Sequence, residues 1–405
     1  MMYFYRLFLF SIIFLFPVSL ISQPLEWMEI TDDYELPEGL RFFGHSFEDS
    51  NIEAWYLELD LNENGLAVEA IPGSDFQSIS DYDDKEGVYA AVNGGYFAGE
   101  DVVSAVVTPD GDVPTRNIAT LNRDGNTHHV TRSMFSLDDE IKPSVDWIYH
   151  HGLNVDDIYR YEEPLPNAPG EPSESPPAVD DGEIMEGLAT GIGGGPVLIT
   201  EGEENITHDD EVFFGSGIQA GSNRARTAVG YTEDNRVIMM VVSEAGSSTG
   251  VTLSRLAEEL LELDVVAAMN LDGGGSSQMT LDQENILSTG RSIPNVLAVV
   301  SRGRVTSAAV TGDDELPRSV RLHQNHPNPF NPDTSIPFSI DHAVPVTLTI
   351  YDMTGRKVAT VIQNETYSAG RHSVRFDASE LSTGTYVYRL STPEMTRSRL
   401  MTLIR

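Results

Sequence analysis

Along most of the chain, apolar positions alternate with polar ones in short runs, the period of strands that lay one face on a core. "AWYLELDL" (54–61), "LAVEAI" (66–71), "VYAAVNGGYF" (88–97) and "VVSAVVTPDGDV" (102–113) are such runs. Turn signals at Asp110-Gly111 and Asp124-Gly125 punctuate them, as hairpins require. "GPVLIT" (195–200), "ARTAVGYT" (225–232) and "RVIMMVVSE" (236–244) resume the strand pattern. The clearest helix is "TLSRLAEELLELD" (252–264), where Leu253, Leu256, Leu260, Leu261 and Leu263 form an apolar face. Thr252 is placed to cap it, with Arg255 where a full capping box has Glu. This helix leads through "VVAAM" into the polar loop "NLDGGGSSQM" (270–279), and "SIPNVLAVVSRGRV" (292–305) supplies a late strand. The pattern predicts an α+β unit in which sheet dominates.

"EEPLPNAPGEPSESPPAVDDGE" (162–183) interrupts the pattern with proline and acid, and reads as an exposed loop or insertion without its own core. "TGDDELP" (311–317) reads as a linker, taken to span 311–319. Beyond it, "TSIPFSI", "VTLTIYD", "KVATVI", "HSVRFDA" and "TYVYRLS" are five strand-like runs with Gly355, Gly370 and Gly384 in the turns between them. Evenly spaced strands without a helix predict a small all-β sandwich over 320–405.

Charge sharpens that boundary. The 405 residues carry a formal net charge of -38. From Arg318 onward there are 10 Lys and Arg against 7 Asp and Glu, leaving 15 against 56 in the preceding residues. An acidic main unit repels nucleic acid and anionic membrane surfaces, so neither is an expected partner. The absence of cysteine excludes disulfides, thiolate metal sites and a cysteine nucleophile. At the N-terminus, "MMYFYRLFLFSIIFLFPVSLIS" has Arg6, then an apolar run broken by Pro17, then Ser22. It reads as a secretory signal peptide over 1–22, with no transmembrane anchor in the mature chain and 23–310 as the main domain.

Several catalytic templates are missing: no G-x-S-x-G elbow, no G-K-[ST] phosphate loop and no H-E-x-x-H. His128-His129 and His150-His151 read as solvated loop histidines. "DLNENG" starts like a calcium loop but has Ile71 at its twelfth position, so it reads as a hairpin turn. Four glycine-marked stretches remain: "VNGGYF", "GIGGGPVLI", "RARTAVG" and "NLDGGGSSQM". Together they offer carboxylate (Asp272), amides (Asn93, Asn270), guanidinium groups (Arg224, Arg226), hydroxyls (Ser276, Ser277) and glycine-flanked N–H groups. Those N–H groups with arginine suit an oxyanion or phosphate cradle, and Asp272 with Glu244 suits glycosidic acid/base chemistry. Each glycine cluster read alone is equally a turn, and Arg226 an ion-pair partner. Asn93 and Asp272 also have the oxygen donors a divalent cation such as calcium takes, although no spacing singles one out.

Taken in this order, "NGGYF", "GIGGGPVLI", "RTAVG", "GVTLSRLAEELLEL" with "AMNLDGGGSS", and "RSIPNVLAVV" resemble the phosphodiester glycosidase family, whose members include N-acetylglucosamine-1-phosphodiester alpha-N-acetylglucosaminidases. The resemblance spans roughly Ala54 to Ser301. It implies hydrolysis of the bond between a sugar's anomeric carbon and a phosphate oxygen, in glycans or surface polymers. It carries Asn93, Arg226, Asp272 and Gly273, Gly274, Gly275, Ser276 and Ser277 into the site, with Glu244 as a second carboxylate. Gly94, Gly95, Tyr96, Arg224 and Asn270 join them as substrate-binding candidates. A non-catalytic carbohydrate- or phosphate-binding surface protein and a glycosidase acting on ordinary polysaccharides are the alternatives. "LHQNHPNPFNPDTSIPFSI", "YDMTGRKV" and "SAGRHSVRFDASELSTGTYVYRL" resemble the type A C-terminal sorting domain of type IX secretion, an immunoglobulin-like sandwich. That resemblance implies passage over a bacterial outer membrane, a secreted or surface location, and the type IX machinery as partner.

Overall fold

The computed structural model of the chain describes residues 23–302 and 320–404, apart from short stretches at 46–50, 64, 84–86, 323–324, 326–329, 341–342, 354–355, 369, 380 and 394–395. The expected signal peptide, the 311–319 linker and the first two residues of "NPFNP" lie outside the described residues.

The main unit is built from three antiparallel sheets. An eight-stranded sheet has at its centre, side by side, the strands Ala54–Asp60, Arg236–Val242, Arg226–Thr232 and Val265–Asn270. A five-stranded sheet places Val88–Asn93 between Met279–Leu281 and Ile293–Ser301. A six-stranded sheet is centred on Arg132–Asp138 and Pro143–His150.

The unbroken apolar run of Arg236–Val242 follows from its position. Val237, Met239 and Val241 join the core shared with the five-stranded sheet. Ile238, Met240 and Val242 face the opposite way and pack with the helix Leu253–Leu261. A strand covered on both faces has no solvent side for polar residues to occupy. The helix forms as its leucine spacing predicts, with Leu253, Leu256, Ala257 and Leu260 fully buried. Thr252 caps it, its hydroxyl accepting the Arg255 N–H at 3.1 Å. Nine residues are too few to hold a helix in water, so tertiary burial stabilises it; removing Leu256 or Leu260 should cost about 2–5 kcal/mol.

The tail forms seven strands in two sheets of three and four. The five predicted runs are present, flanked by Val320–Leu322 and Thr396–Leu403. Its own core includes Phe330, Phe338, Leu348, Ile350 and Tyr388.

Two sequence readings change. The stretch after Asp60 is no hairpin turn: it carries the chain from the eight-stranded sheet to the five-stranded one, where Leu66–Gln77 pairs with Ile293–Ser301. Turn chemistry is local, but the partner comes from more than two hundred positions away. Three of the four histidines are not solvated loop residues either; only His151 is exposed, in a bend after its strand. His128 ends fully buried on the short strand Asn126–His129, its Nδ1 3.2 Å from Asn167 Oδ1 of the acidic stretch. His150 closes the strand Pro143–His150 and accepts the Asn117 N–H, and burial pushes its imidazole down to about 4. By contrast, Asp124-Gly125 turns the hairpin between Thr120–Arg123 and Asn126–His129 as expected, both residues at positive φ.

Candidate functional site

Three strand ends converge where the eight- and five-stranded sheets approach each other. Val88–Asn93 ends at Asn93, Val265–Asn270 ends just before Asp272, and Arg226–Thr232 starts at Arg226. Asn93 clasps the two sheets. Its Nδ2 donates to the Asp272 carbonyl (2.7 Å), while its Oδ1 accepts the Thr227 hydroxyl (2.7 Å) and the Gln278 N–H (3.1 Å). With its amide so committed and the residue only 1 % exposed, Asn93 ties the two sheets together and offers no free oxygen to a cation. Among the described residues, no three His, Asp or Glu side chains converge on a metal position.

The glycines of the first two motifs serve packing. A Cβ on Gly94 would lie 2.0 Å from Asn295 Oδ1, one on Gly95 2.3 Å from the Gly193 carbonyl, and one on Gly193 2.2 Å from Asn117 Oδ1. Backbones and buried amides lie so close that any side chain would collide. In the fourth motif, Gly274 has φ of +58° and open space where a Cβ would go, so conformation sets that position. The loop N–H groups expected to cradle a ligand are largely committed within the protein. Asp272 N–H bonds the Gly94 carbonyl, Gly273 N–H bonds Asp272 Oδ1, and Gly274 N–H bonds the Ala225 carbonyl. Ser276 and Ser277 N–H groups turn back onto Gly273 and Gly274.

A cavity of about 520 Å³ opens beside this junction. Of the sequence candidates, Tyr96, Arg224, Arg226, Glu244, Asn270, Asp272, Gly273 and Gly274 line it; Asn93, Gly94, Gly95, Gly275, Ser276 and Ser277 stand outside the lining. Burial pushes the Asp272 carboxyl up to about 6, and the neighbouring Ser276 hydroxyl, Arg291 and the Gly273 N–H offset this only in part. Ser276 Oγ stands near that carboxylate without completing a hydrogen bond. Arg226 is 2 % exposed; its Nε donates to the Val251 carbonyl (3.2 Å) and its Nη2 to those of Gln219 (2.7 Å) and Ser222 (2.9 Å). Three backbone carbonyls thus fix the guanidinium and leave Nη1 available to the cavity. Glu244, exposed on the rim, accepts the Ala225 N–H through Oε2 (3.0 Å). The Tyr96 hydroxyl donates to the Gly195 carbonyl (2.7 Å) and accepts from Asn270 Nδ2 (2.7 Å). Burial raises its phenol far above the ordinary range, and with both bonds made inside the protein Tyr96 anchors the wall.

Arg123, Arg132, Phe97 and Phe213 also line the cavity. Phe97 ends the "NGGYF" motif, but little in residue order marks the others: Arg132 is a lone cation at the start of an apolar strand, and Phe213 sits in the acidic run "HDDEVFFGSG". Four guanidinium groups therefore surround the cavity against two carboxylates, Glu244 and Asp272, in a chain of net charge -38. Such a local inversion of charge suits an anionic ligand.

Residues 86–300, just over half of the chain, match the sequence model of the family described as phosphodiester glycosidase. The chain belongs to the phosphodiester glycosidase family. Residues 325–401 of this family member match the secretion system C-terminal sorting domain, so its tail is that sorting domain. Similar proteins include N-acetylglucosamine-1-phosphodiester alpha-N-acetylglucosaminidase of Bos taurus, 30 % identical over 100 residues, which are 25 % of this chain and 19 % of that protein. The Homo sapiens protein of the same name is 31 % identical over 102 residues, again 25 % of this chain and 19 % of its own length. The matched stretch thus spans about a fifth of these relatives. Among solved structures, the zebrafish N-acetylglucosamine-1-phosphodiester alpha-N-acetylglucosaminidase catalytic domain, auto-inhibited by its pro-peptide, aligns at 18 % identity and TM-score 0.45, covering 69 % of this chain and 89 % of that one. A hypothetical protein from Synechocystis aligns at 15 % identity with the same TM-score, covering 70 % and 64 %. No helix among the described residues is long and apolar enough to cross a membrane.

Proposed function

We propose that the main unit, taken as residues 23–310, is a hydrolase that cleaves sugar-1-phosphodiesters in glycans or surface polymers. One observation carries this reading: an arginine-lined cavity with a carboxyl raised to about 6 on its wall, in an otherwise strongly acidic chain. Arg226 Nη1 and Arg224 would hold the non-bridging phosphate oxygens. As water attacks the anomeric carbon, the carbon–oxygen bond breaks and its electron pair leaves with the phosphate. The products are the free sugar and a phosphomonoester. Phosphate is a weakly basic leaving group, so this departure asks for charge stabilisation more than for a proton. Asp272, in its ionised form, would take the proton released by the attacking water, and a pKa near 6 suits that task around neutral pH. Glu244 is the second carboxylate, placed at the rim to orient the sugar or the water. Asn93 and Tyr96 hold the Asp272 loop in place through its backbone carbonyls and those of its neighbours.

The tail supports export, with the enzyme working outside the cell or on its surface; the leader at 1–22 would deliver the chain to the first membrane. The direct test is Asp272→Asn assayed on a sugar-1-phosphodiester. Turnover is expected to fall by about 10²-fold or more. Undiminished turnover removes Asp272 from the mechanism.

A further inference from the structure

The cavity holds a second buried guanidinium that the mechanism above leaves idle. Arg132 opens the strand Arg132–Asp138 and is only 7 % exposed. Its guanidinium carbon stands 3.8 Å from the centroid of the Phe213 ring, so one face of the cation is covered. Its Nε is buried without a hydrogen-bond partner, and the side chain lines the cavity. The carboxylate whose charge it feels most is Glu211, which is fully buried. Glu211 is already engaged by five donors: the Ser133 N–H and hydroxyl, Trp147 Nε1, the Val197 N–H and the Thr207 hydroxyl. It balances the charge of Arg132 from a distance and accepts none of its N–H groups.

A buried guanidinium N–H without an acceptor is unfavourable for the fold, and such a group needs a reason to be kept. A ligand that brings its own acceptor supplies one. Tyr96, Arg132, Arg226 and Asp272 all line this one cavity. Arg226 has three of its N–H directions tied to backbone carbonyls. A phosphodiester presents two non-bridging oxygens with several lone pairs each, so Arg226 Nη1 and Arg224 leave acceptor positions for a further donor. We propose that Arg132 is a second anion-binding residue of this cavity, donating to a non-bridging oxygen of the substrate's phosphate alongside Arg226. The stacked Phe213 ring fixes the plane of the guanidinium and directs its N–H edge at the ligand. This assignment deepens the phosphodiester reading and rests on it for the identity of the anion.

The test is calorimetric titration of inorganic phosphate into the full chain at low ionic strength, for wild type, Arg132→Met and Arg132→Lys. Phosphate should bind the Met variant about tenfold or more weakly, with the Lys variant between. The thermal midpoint of Arg132→Met should fall, because the buried Glu211 loses the positive charge that balances it, so binding is compared well below both midpoints. Unchanged phosphate affinity in Arg132→Met overturns the assignment, whatever its midpoint. If the Met variant fails to fold, Arg132→Lys decides: weaker binding at the wild-type midpoint supports it, and wild-type affinity overturns it. The same samples on a sugar-1-phosphodiester separate the two readings. Loss of phosphate binding in Arg132→Met with no turnover by wild type keeps the anion site and rejects the hydrolase. Turnover by wild type with full phosphate affinity in Arg132→Met rejects Arg132 alone.

Discussion

Replacing Asp272 with Asn should make the protein more stable at neutral pH while removing its activity. In the folded chain the carboxyl titrates at about 6, against an ordinary 3.8, because burial disfavours its charge. The ionised form is therefore less favourable in the fold than in the unfolded chain, by about 3 kcal/mol at pH 7. Below an ordinary carboxyl pKa, Asp272 is protonated in both states and costs nothing. As pH rises toward 6 the unfolded chain ionises first, and that stability is lost. Asn keeps the Oδ1 that accepts the Gly273 N–H at 3.0 Å and has no charge to desolvate. Urea unfolding of wild type and Asp272→Asn should thus differ by up to about 3 kcal/mol at pH 7 in favour of the variant, and the gap should close by about pH 3. Other carboxylates titrate alike in both proteins and drop out of the difference. A variant less stable than wild type at pH 7, or a gap that persists in acid, would refute the claim that burial holds this carboxyl up. The same titration predicts that turnover falls on the acid side of about pH 6, as Asp272 takes up its proton.

Further outcomes follow from the packing around the site. Asn93→Ala leaves the Asp272 carbonyl, the Thr227 hydroxyl and the Gln278 N–H unpaired in a buried place; at about 1–3 kcal/mol each, denaturation should show a loss of roughly 3 kcal/mol or more. Gly94→Ala would drive its methyl to 2.0 Å from Asn295 Oδ1 and displace the acceptor of the Gly95 N–H, so turnover and thermal midpoint should fall together. If the tail acts as a sorting signal removed on export, mass spectrometry of the secreted form should find it missing the residues matched at 325–401.

Much of this was legible from residue order, and the exceptions share a cause. The leucine spacing after Thr252 and the five tail runs report local periodicity, and they became the helix and the five strands they predicted. Short edge strands such as Val320–Leu322 carry too little pattern to stand out. Asp272 and the two arginines of "RARTAVG" stand together at the cavity because strand ends place them there. What the sequence could not convey is which groups are already bonded. The glycine-rich loop promised free N–H donors, yet most of them close onto Gly94, Ala225 and the loop itself. Asn93 had the chemistry of a ligand, but its partners come from both sheets and use it up. Arg132 gave no local sign, because its importance lies in the lack of a partner after a long-range fold brings Phe213 over it.

The most direct test of the central claim is release of free sugar from a panel of sugar-1-phosphodiesters, run beside glycosides of the same sugars that lack the phosphate. The account predicts turnover of at least one phosphodiester and negligible turnover of its phosphate-free counterpart. Equal rates on the two, or binding of every phosphodiester with hydrolysis of none, would contradict it.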